Sequence, residues 1–210
     1  MIITHVFFDI GGVLGTNGWD RGERASAAEH FGLEVDELEE MHSESKSMLE
    51  MGHITLDEYL HTAVFHRPRP FTLEAFKAYM FSLSQPNQDT IALARGLARG
   101  GRHRLMTLNN ESAELNLYRI DRFGLRDIFV AFFSSCWLGV LKPARRIYEV
   151  ALAIAQADPA ASVFIDDRPR NLEPAAALGM QTIQFTDAAK LESELARLKV
   201  RGAEVSGGER

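Results

Sequence analysis

The chain of 210 residues carries a single cysteine, Cys136, so an internal disulfide framework is excluded and the fold must hold by packing. No apolar run approaches the length of a membrane span, and no basic segment followed by an apolar one opens the sequence. The expected setting is therefore the reducing cytoplasm, without a membrane partner. Positive charge is not in surplus either: 23 basic against 29 acidic residues give a net charge of −6, which offers nucleic acid no electrostatic footprint. Internal repeats and low-complexity segments are absent. Gly11, Gly12 and Gly15 lack the G-x-G-x-x-G spacing and no Walker lysine follows them, so neither dinucleotide nor P-loop chemistry is indicated. These absences leave a small-molecule ligand as the expected partner, while composition leaves the oligomeric state open.

Hydrophobic residues make up 46% of the chain, enough for one ordinary domain or for a core domain carrying a small insert. The organising stretch is Val6 to Leu14, an apolar run that ends in Asp9 and passes at once into two glycines. It predicts a buried parallel strand, residues 2–9, that delivers Asp9 to the carboxyl edge of a sheet. From about Trp19 to Leu83 the pattern is helical only, with predicted helices over Arg24–Phe31, Val35–Met51, Thr55–Phe65 and Thr72–Leu83. Thr55 to Glu58 has the form of a capping box.

From Gln88 onward strands and helices alternate. The predicted strands are Arg104–Leu108, Ile128–Ser134, Ser162–Ile165 and Thr182–Phe185. The predicted helices are Gln88–Arg99, Ser112–Phe123, Pro143–Gln156, Leu172–Leu178 and Ala188–Leu198. Such alternation means right-handed βαβ units, and hence an α/β fold with a parallel Rossmann-like sheet flanked by helices. The expected division is a core of residues 1–16 and 86–200, a helical insert of residues 17–85 after the first strand, and a disordered Gly-rich, charged tail over 201–210.

Three later strands also end in groups that can do chemistry. These are Asn109-Asn110, then Ser134-Ser135 leading to Lys142, then Asp166-Asp167, all expected on the same sheet edge as Asp9. Three carboxylates on one edge repel one another unless a cation sits among them, and a hard divalent ion with oxygen ligands, Mg²⁺, fits that requirement. Lys142 supplies the positive charge that a phosphoryl group needs. For Asn109-Asn110 a turn-forming pair is the plainer alternative, as is a solvated turn or helix cap for Asp166-Asp167. Cys136 and Trp137 are read as packing residues, and His30, His42, His53, His61 and His66 as surface or packing residues without metal-ligand spacing.

These motifs resemble those of the haloacid dehalogenase-like superfamily, in its phosphatase-like branch with a helical cap domain after the first strand. The similarity covers nearly the whole chain. Phe8 to Val13 is similar to the nucleophile motif, and Leu108-Asn109-Asn110 stands in place of a Thr/Ser-Asn motif. Ser135 to Gly139 with Lys142-Pro143 resembles the lysine motif, and Phe164 to Asp167 the acidic metal motif. The resemblance implies a phosphatase of a small phosphorylated metabolite in which Asp9 forms an aspartyl-phosphate that water then hydrolyses. It implies Mg²⁺ held by the Asp9 side chain, the Gly11 carbonyl and Asp167, with Asp166 directly or through water, and phosphoryl oxygens held by Asn109, the Asn110 backbone and Lys142.

Two positions depart from that pattern. The acid-base aspartate expected two residues after the nucleophile is Gly11, a change shared with an α-D-glucose-1-phosphatase-like branch of sugar phosphatases. The usual Thr or Ser of the second motif is Asn109, with Thr107 as a weaker substitute. The competing functions are a non-catalytic binding or regulatory domain that has lost its acid, and 2-haloacid dehalogenation by attack of Asp9 on carbon. The latter needs no metal, so the Asp166-Asp167 pair argues against it. A phospho-receiver domain would carry its acidic pair at the start of the chain.

Overall fold

His5, Val6, Phe7 and Phe8 are all buried and form β1, the middle strand of the sheet in a computed structural model that describes residues 2–202. The expected disordered tail lies outside the described residues from position 203 onward. Beside β1 run β2 (Arg104–Asn109) and β4 (Ser162–Asp166), with β3 (Ala131–Ser134) and β5 (Gln181–Gln184) outermost, in the order β3-β2-β1-β4-β5. All four pairings are parallel. The period of two sorts the central strands between two cores. Val6, Phe8, Val163 and Ile165 face a cluster completed by α5 (Gln88–Arg99), α6 (Ala113–Arg122) and α10 (Ala188–Arg197). Phe7 and Phe164 face the opposite cluster, built with α8 (Arg145–Ala155) and α9 (Pro169–Ala177).

The register aligns the chemistry. Phe8 pairs with Ile165, and the N–H of Asp9 donates to the Ile165 carbonyl at 2.9 Å, so Asp9 leaves the sheet beside Asp166. Asn109 is likewise paired with Ser134.

Between β1 and α5 lie four helices: α1 (Arg21–Phe31), α2 (Val35–Glu50), α3 (Leu56–Ala63) and α4 (Leu73–Ser82). They pack round a separate apolar cluster that includes Leu38, Leu56, Tyr59, Leu60 and Phe76. The capping box forms as read: Thr55 Oγ1 accepts from Glu58 N–H and Glu58 Oε2 accepts from Thr55 N–H. The two chain crossings into and out of this segment are not independent linkers. Thr16 N–H donates to Gln85 O and Asn87 N–H to Leu14 O, both at 2.9 Å, and the buried Arg119 guanidinium donates to Thr16 O.

The far end of α2 is docked on the core. Ser135 Oγ donates to Glu50 O at 2.6 Å, and Gly52, at φ 71°, sits where a Cβ would lie 2.2 Å from Cys136 O. Gly52→Ala combines a left-handed φ with that clash, so we expect a loss of about 1–3 kcal/mol of stability. Urea denaturation measures it, and an unchanged midpoint would mean that the contact carries no weight.

Several boundaries differ from those read in the sequence. The third strand begins at Ala131 rather than Ile128, because Ile128 and Phe129 are buried in the core as a turn rather than in the ladder. A one-turn helix, α7 (Ser135–Leu138), precedes α8, which starts at Arg145 rather than Pro143. The helix expected from Leu172 begins at Pro169, a residue whose fixed φ suits a first helical turn.

Candidate active site

At the carboxyl edge of β1 and β4, Lys142 is buried, with Nζ 2.9 Å from Asp9 Oδ2 and 2.6 Å from Asp166 Oδ2. Burial works against its charge, but the two carboxylates outweigh that and hold its pKa above the ordinary lysine value. Its backbone is clamped by one side chain: Lys142 N–H donates to Asn110 Oδ1 at 2.8 Å, and Asn110 Nδ2 donates to Lys142 O at 2.9 Å. Asp166 is equally fixed, accepting from Arg168 N–H at 2.9 Å and from Asn171 Nδ2 at 2.9 and 3.1 Å. Asn171 is itself anchored, through its carbonyl, by the Tyr148 hydroxyl at 2.7 Å.

Asp9 has one further hydrogen bond, from Ile10 N–H to Oδ1 at 2.8 Å. Burial raises its pKa; Lys142 opposes that rise, while Asp166 and Asp167 add to it. Asp167 is pushed up as well, first by burial and then by Asp166. Its Oδ1 is buried without a hydrogen-bond partner.

One carboxylate oxygen from each of Asp9, Asp166 and Asp167 lies within 4.8 Å of the others. A single ammonium does not balance three carboxylates, and an orphaned carboxylate oxygen is costly unless something positive meets it. This donor set fits a hard cation such as Mg²⁺. Gly12 is part of the fit, since at its φ of 73° a Cβ would stand 2.6 Å from Asp167 Oδ2. Because Asp166 is already saturated by Lys142, Arg168 and Asn171, the two oxygens best placed to ligate are those of Asp9 and Asp167. Gly11 lines the same space.

The site opens into a cavity of about 300 Å³ between the sheet edge and the inserted helices. Asp9, Gly11, Asn110 and Lys142 line it from the core, and Trp19, Arg24, His42, Lys46 and Glu50 from the insert. Asn109 is not among the lining residues. It is buried, with Nδ2 donating to Asn116 Oδ1 at 2.9 Å. Thr107 is enclosed in β2 with an unpartnered hydroxyl.

Residues that sequence reading passed over include Asn171, Arg168 and the cavity face of α2. That face carried a signal: His42, Lys46 and Glu50 recur every fourth residue and so share one side of a helix. His42 packs as expected, with Nδ1 against the Tyr59 hydroxyl at 2.8 Å, but it also reaches the cavity wall.

Comparison with known proteins agrees with this geometry. A family model described as a haloacid dehalogenase-like hydrolase matches residues 3–179. Bifunctional epoxide hydrolase 2 of Rattus norvegicus is 28% identical over 134 residues, 62% of this chain and 24% of that protein. Its counterpart in Sus scrofa is 26% identical over 225 residues, 98% of this chain and 40% of that protein. The chain thus spans less than half the length of these relatives. Sesquiterpene phosphatase astK of Aspergillus oryzae is 33% identical over 72 residues, 34% of this chain and 37% of that protein. Among solved structures, the HAD family enzyme bt-2542 of Bacteroides thetaiotaomicron superposes with a TM-score of 0.78 at 22% identity, over 94% of this chain and all of that one. The same enzyme has been crystallised with magnesium and inorganic phosphate. With the family model matched from the first strand to the end of the helix that follows Asp167, this chain belongs to the haloacid dehalogenase-like hydrolases.

Proposed function

We propose that this chain is a Mg²⁺-dependent phosphatase of a small, water-soluble phosphate monoester, possessing Asp9 as its nucleophile. The observation that carries this reading is the orphaned Asp167 oxygen beside Asp9 and Asp166. A hydrolase attacking carbon has no use for that third carboxylate, whereas a cation-dependent phosphoryl site does. The names of the astK phosphatase and of the magnesium and phosphate complex of bt-2542 point the same way.

In this scheme Asp9, the Gly11 carbonyl and Asp167 would hold Mg²⁺, with Asp166 beside them. Bound there, the ion would neutralise negative charge during phosphoryl transfer. Asp9 attacks phosphorus as the ester oxygen departs with its bonding pair, and water then displaces the aspartate to release phosphate. Lys142 faces the phosphoryl oxygens with its ammonium, and the Asn110 clamp holds it in place. Helices α1–α4 act as a cap that excludes water and chooses the substrate. The cavity walls carry Arg24, His42, Lys46 and Glu50, so a polar metabolite such as a sugar phosphate suits them better than a hydrocarbon chain.

Phosphate release from a panel of sugar phosphates, with and without Mg²⁺, tests this. Release that requires Mg²⁺ is expected, and none from any member with Mg²⁺ bound would favour a non-catalytic binding domain. A second expectation concerns protons. Because burial and neighbouring carboxylates raise the pKa of Asp9 and Asp167, the metal-free site holds proton that Mg²⁺ must displace. Binding should therefore tighten as pH rises above the ordinary carboxylate range. Calorimetry in two buffers of different ionisation enthalpy reads the released proton, and identical heats in both would contradict it.

A further inference from the structure

Phosphoryl transfer from an ordinary alkyl ester leaves an alkoxide that needs a proton, and the core offers no obvious donor, since position 11 is glycine. The carboxyl groups of the cation cluster and of the cavity wall can be sorted by what they already hold. Asp9, Asp166 and Asp167 belong to the nucleophile and cation cluster. Glu111 Oε1 accepts from Ser112 N–H at 2.8 Å, and its Oε2 faces the buried Arg119 at 3.5 Å. Asp20 Oδ1 accepts from Arg21 N–H at 2.5 Å, and Oδ2 meets Arg168 at 3.3 Å.

Glu50 differs. Among the described residues its carboxyl accepts no hydrogen bond, and the one basic group within 4 Å of it is Lys46 Nζ, at 3.8 Å. His42 is no substitute. Trp19 Nε1 donates to the Tyr59 hydroxyl at 2.7 Å, so that hydroxyl gives its proton to His42 Nδ1 and leaves the proton on Nε2, which is buried without a partner. Burial lowers the His42 pKa to about 4, which keeps the ring neutral and a poor acid.

Given the phosphatase reading, on which this rests, we propose that Glu50 is the general acid and base of the reaction, delivered to the site by the cap rather than by the core. Its position is built, not incidental. Glu50 is the last residue of α2, and Ser135 Oγ both donates to its carbonyl at 2.6 Å and accepts from Glu111 N–H at 3.1 Å. Glu111 directly follows Asn110, the residue that clamps Lys142. Two hydrogen bonds therefore tie the Glu50 backbone to the loop that carries the phosphoryl site. Gly52, pressed on Cys136, fixes the same end of the helix from the other side.

The surroundings suit a proton donor. Burial raises the Glu50 pKa against the pull of Lys46 on its own helix, Arg168 after β4, Arg24 on α1 and Lys142 after β3. Glu111 after β2 is a further charged neighbour, and Glu50 raises its pKa in turn. In the first step the Asp9–phosphorus bond forms, the phosphorus–ester bond breaks, and the Glu50 proton passes to the departing oxygen. In the second, the Glu50 carboxylate takes a proton from water as its oxygen bonds to phosphorus and Asp9 is released. Glu50 ends protonated and the cycle closes.

The test compares kcat/KM, which reports the first step, for glycerol phosphate and p-nitrophenyl phosphate in the presence of Mg²⁺. An alkoxide needs the proton far more than p-nitrophenolate does. Glu50→Gln should lower the alkyl value by about 10²–10⁴-fold and the aryl value by about tenfold or less. In the unaltered protein the alkyl-to-aryl ratio should fall as pH rises and Glu50 loses its proton, and in Glu50→Gln the ratio should be flat. Equal losses on both esters, or a pH-independent ratio in the unaltered protein, would overturn the assignment while leaving the phosphatase reading intact. No turnover of either ester by the unaltered protein would remove that reading and this one together.

Discussion

Asp9→Asn should abolish turnover, by about 10⁴–10⁶-fold, because an amide oxygen cannot form the acyl-phosphate on which both chemical steps depend. The fold should survive. The carboxylate is buried and pressed toward its neutral form by desolvation, so removing its charge relieves repulsion from Asp166 and Asp167 while it weakens the pair with Lys142. One local cost remains: the two oxygens of Asp9 each face a donor, Ile10 N–H and Lys142 Nζ, and an amide can present an acceptor to only one of them. A loss of about 1–3 kcal/mol is the expected stability effect. Beryllium fluoride, which mimics the phosphorylated aspartate, should bind the unaltered protein and fail on the variant. Turnover by purified Asp9→Asn close to that of the unaltered protein would end the aspartyl-phosphate scheme.

The core was legible for a physical reason. Val6 to Phe8 and Val163 to Ile165 have nothing but apolar side chains, as strands covered on both faces must, and each is followed at once by a carboxylate. Strand ends on a parallel sheet share one edge, so Asp9, Asn110 and the Asp166-Asp167 pair could be placed together before any distance was known. Asn109 shows the limit of that argument. Edge position says where a residue leaves the sheet but not which way its amide turns, and here it turns to Asn116, a helical partner seven residues on.

The inserted segment was harder to read because its placement depends on docking between elements. Periodicity identified α2, yet the bond from Ser135 to the Glu50 carbonyl joins residues 85 positions apart and leaves no local pattern. The same holds for the paired crossings at Thr16 and Gln85, whose hydrogen bond joins residues far apart in the chain. Any displacement of α1–α4 relative to the sheet would have to break or carry along the bonds between those crossings, which are tied to each other rather than free.

Lys142→Met brings the site's electrostatics to a single measurement. Methionine keeps most of the buried stem but removes the ammonium that stands 2.9 Å from Asp9 and 2.6 Å from Asp166. Without it nothing opposes the burial that already raises the Asp9 pKa, and the protonated form of Asp9 gains. Asp166 retains the donors of Arg168 and Asn171, whereas Asp9 retains only Ile10 N–H, so a proton settles on Asp9 and disables the nucleophile. Loss of the charge facing the phosphoryl oxygens compounds this, for an expected fall of about 10³–10⁵-fold in kcat/KM. Uncompensated buried charge should also cost about 3–5 kcal/mol of stability in the metal-free protein. The sign of the pH effect separates the two causes: a protonated nucleophile recovers as pH rises, while a missing phosphoryl contact does not. Residual turnover of Lys142→Met that climbs with pH more steeply than that of the unaltered protein is therefore expected. A parallel pair of profiles would show that Lys142 serves the phosphoryl group alone and leaves the ionisation of Asp9 untouched.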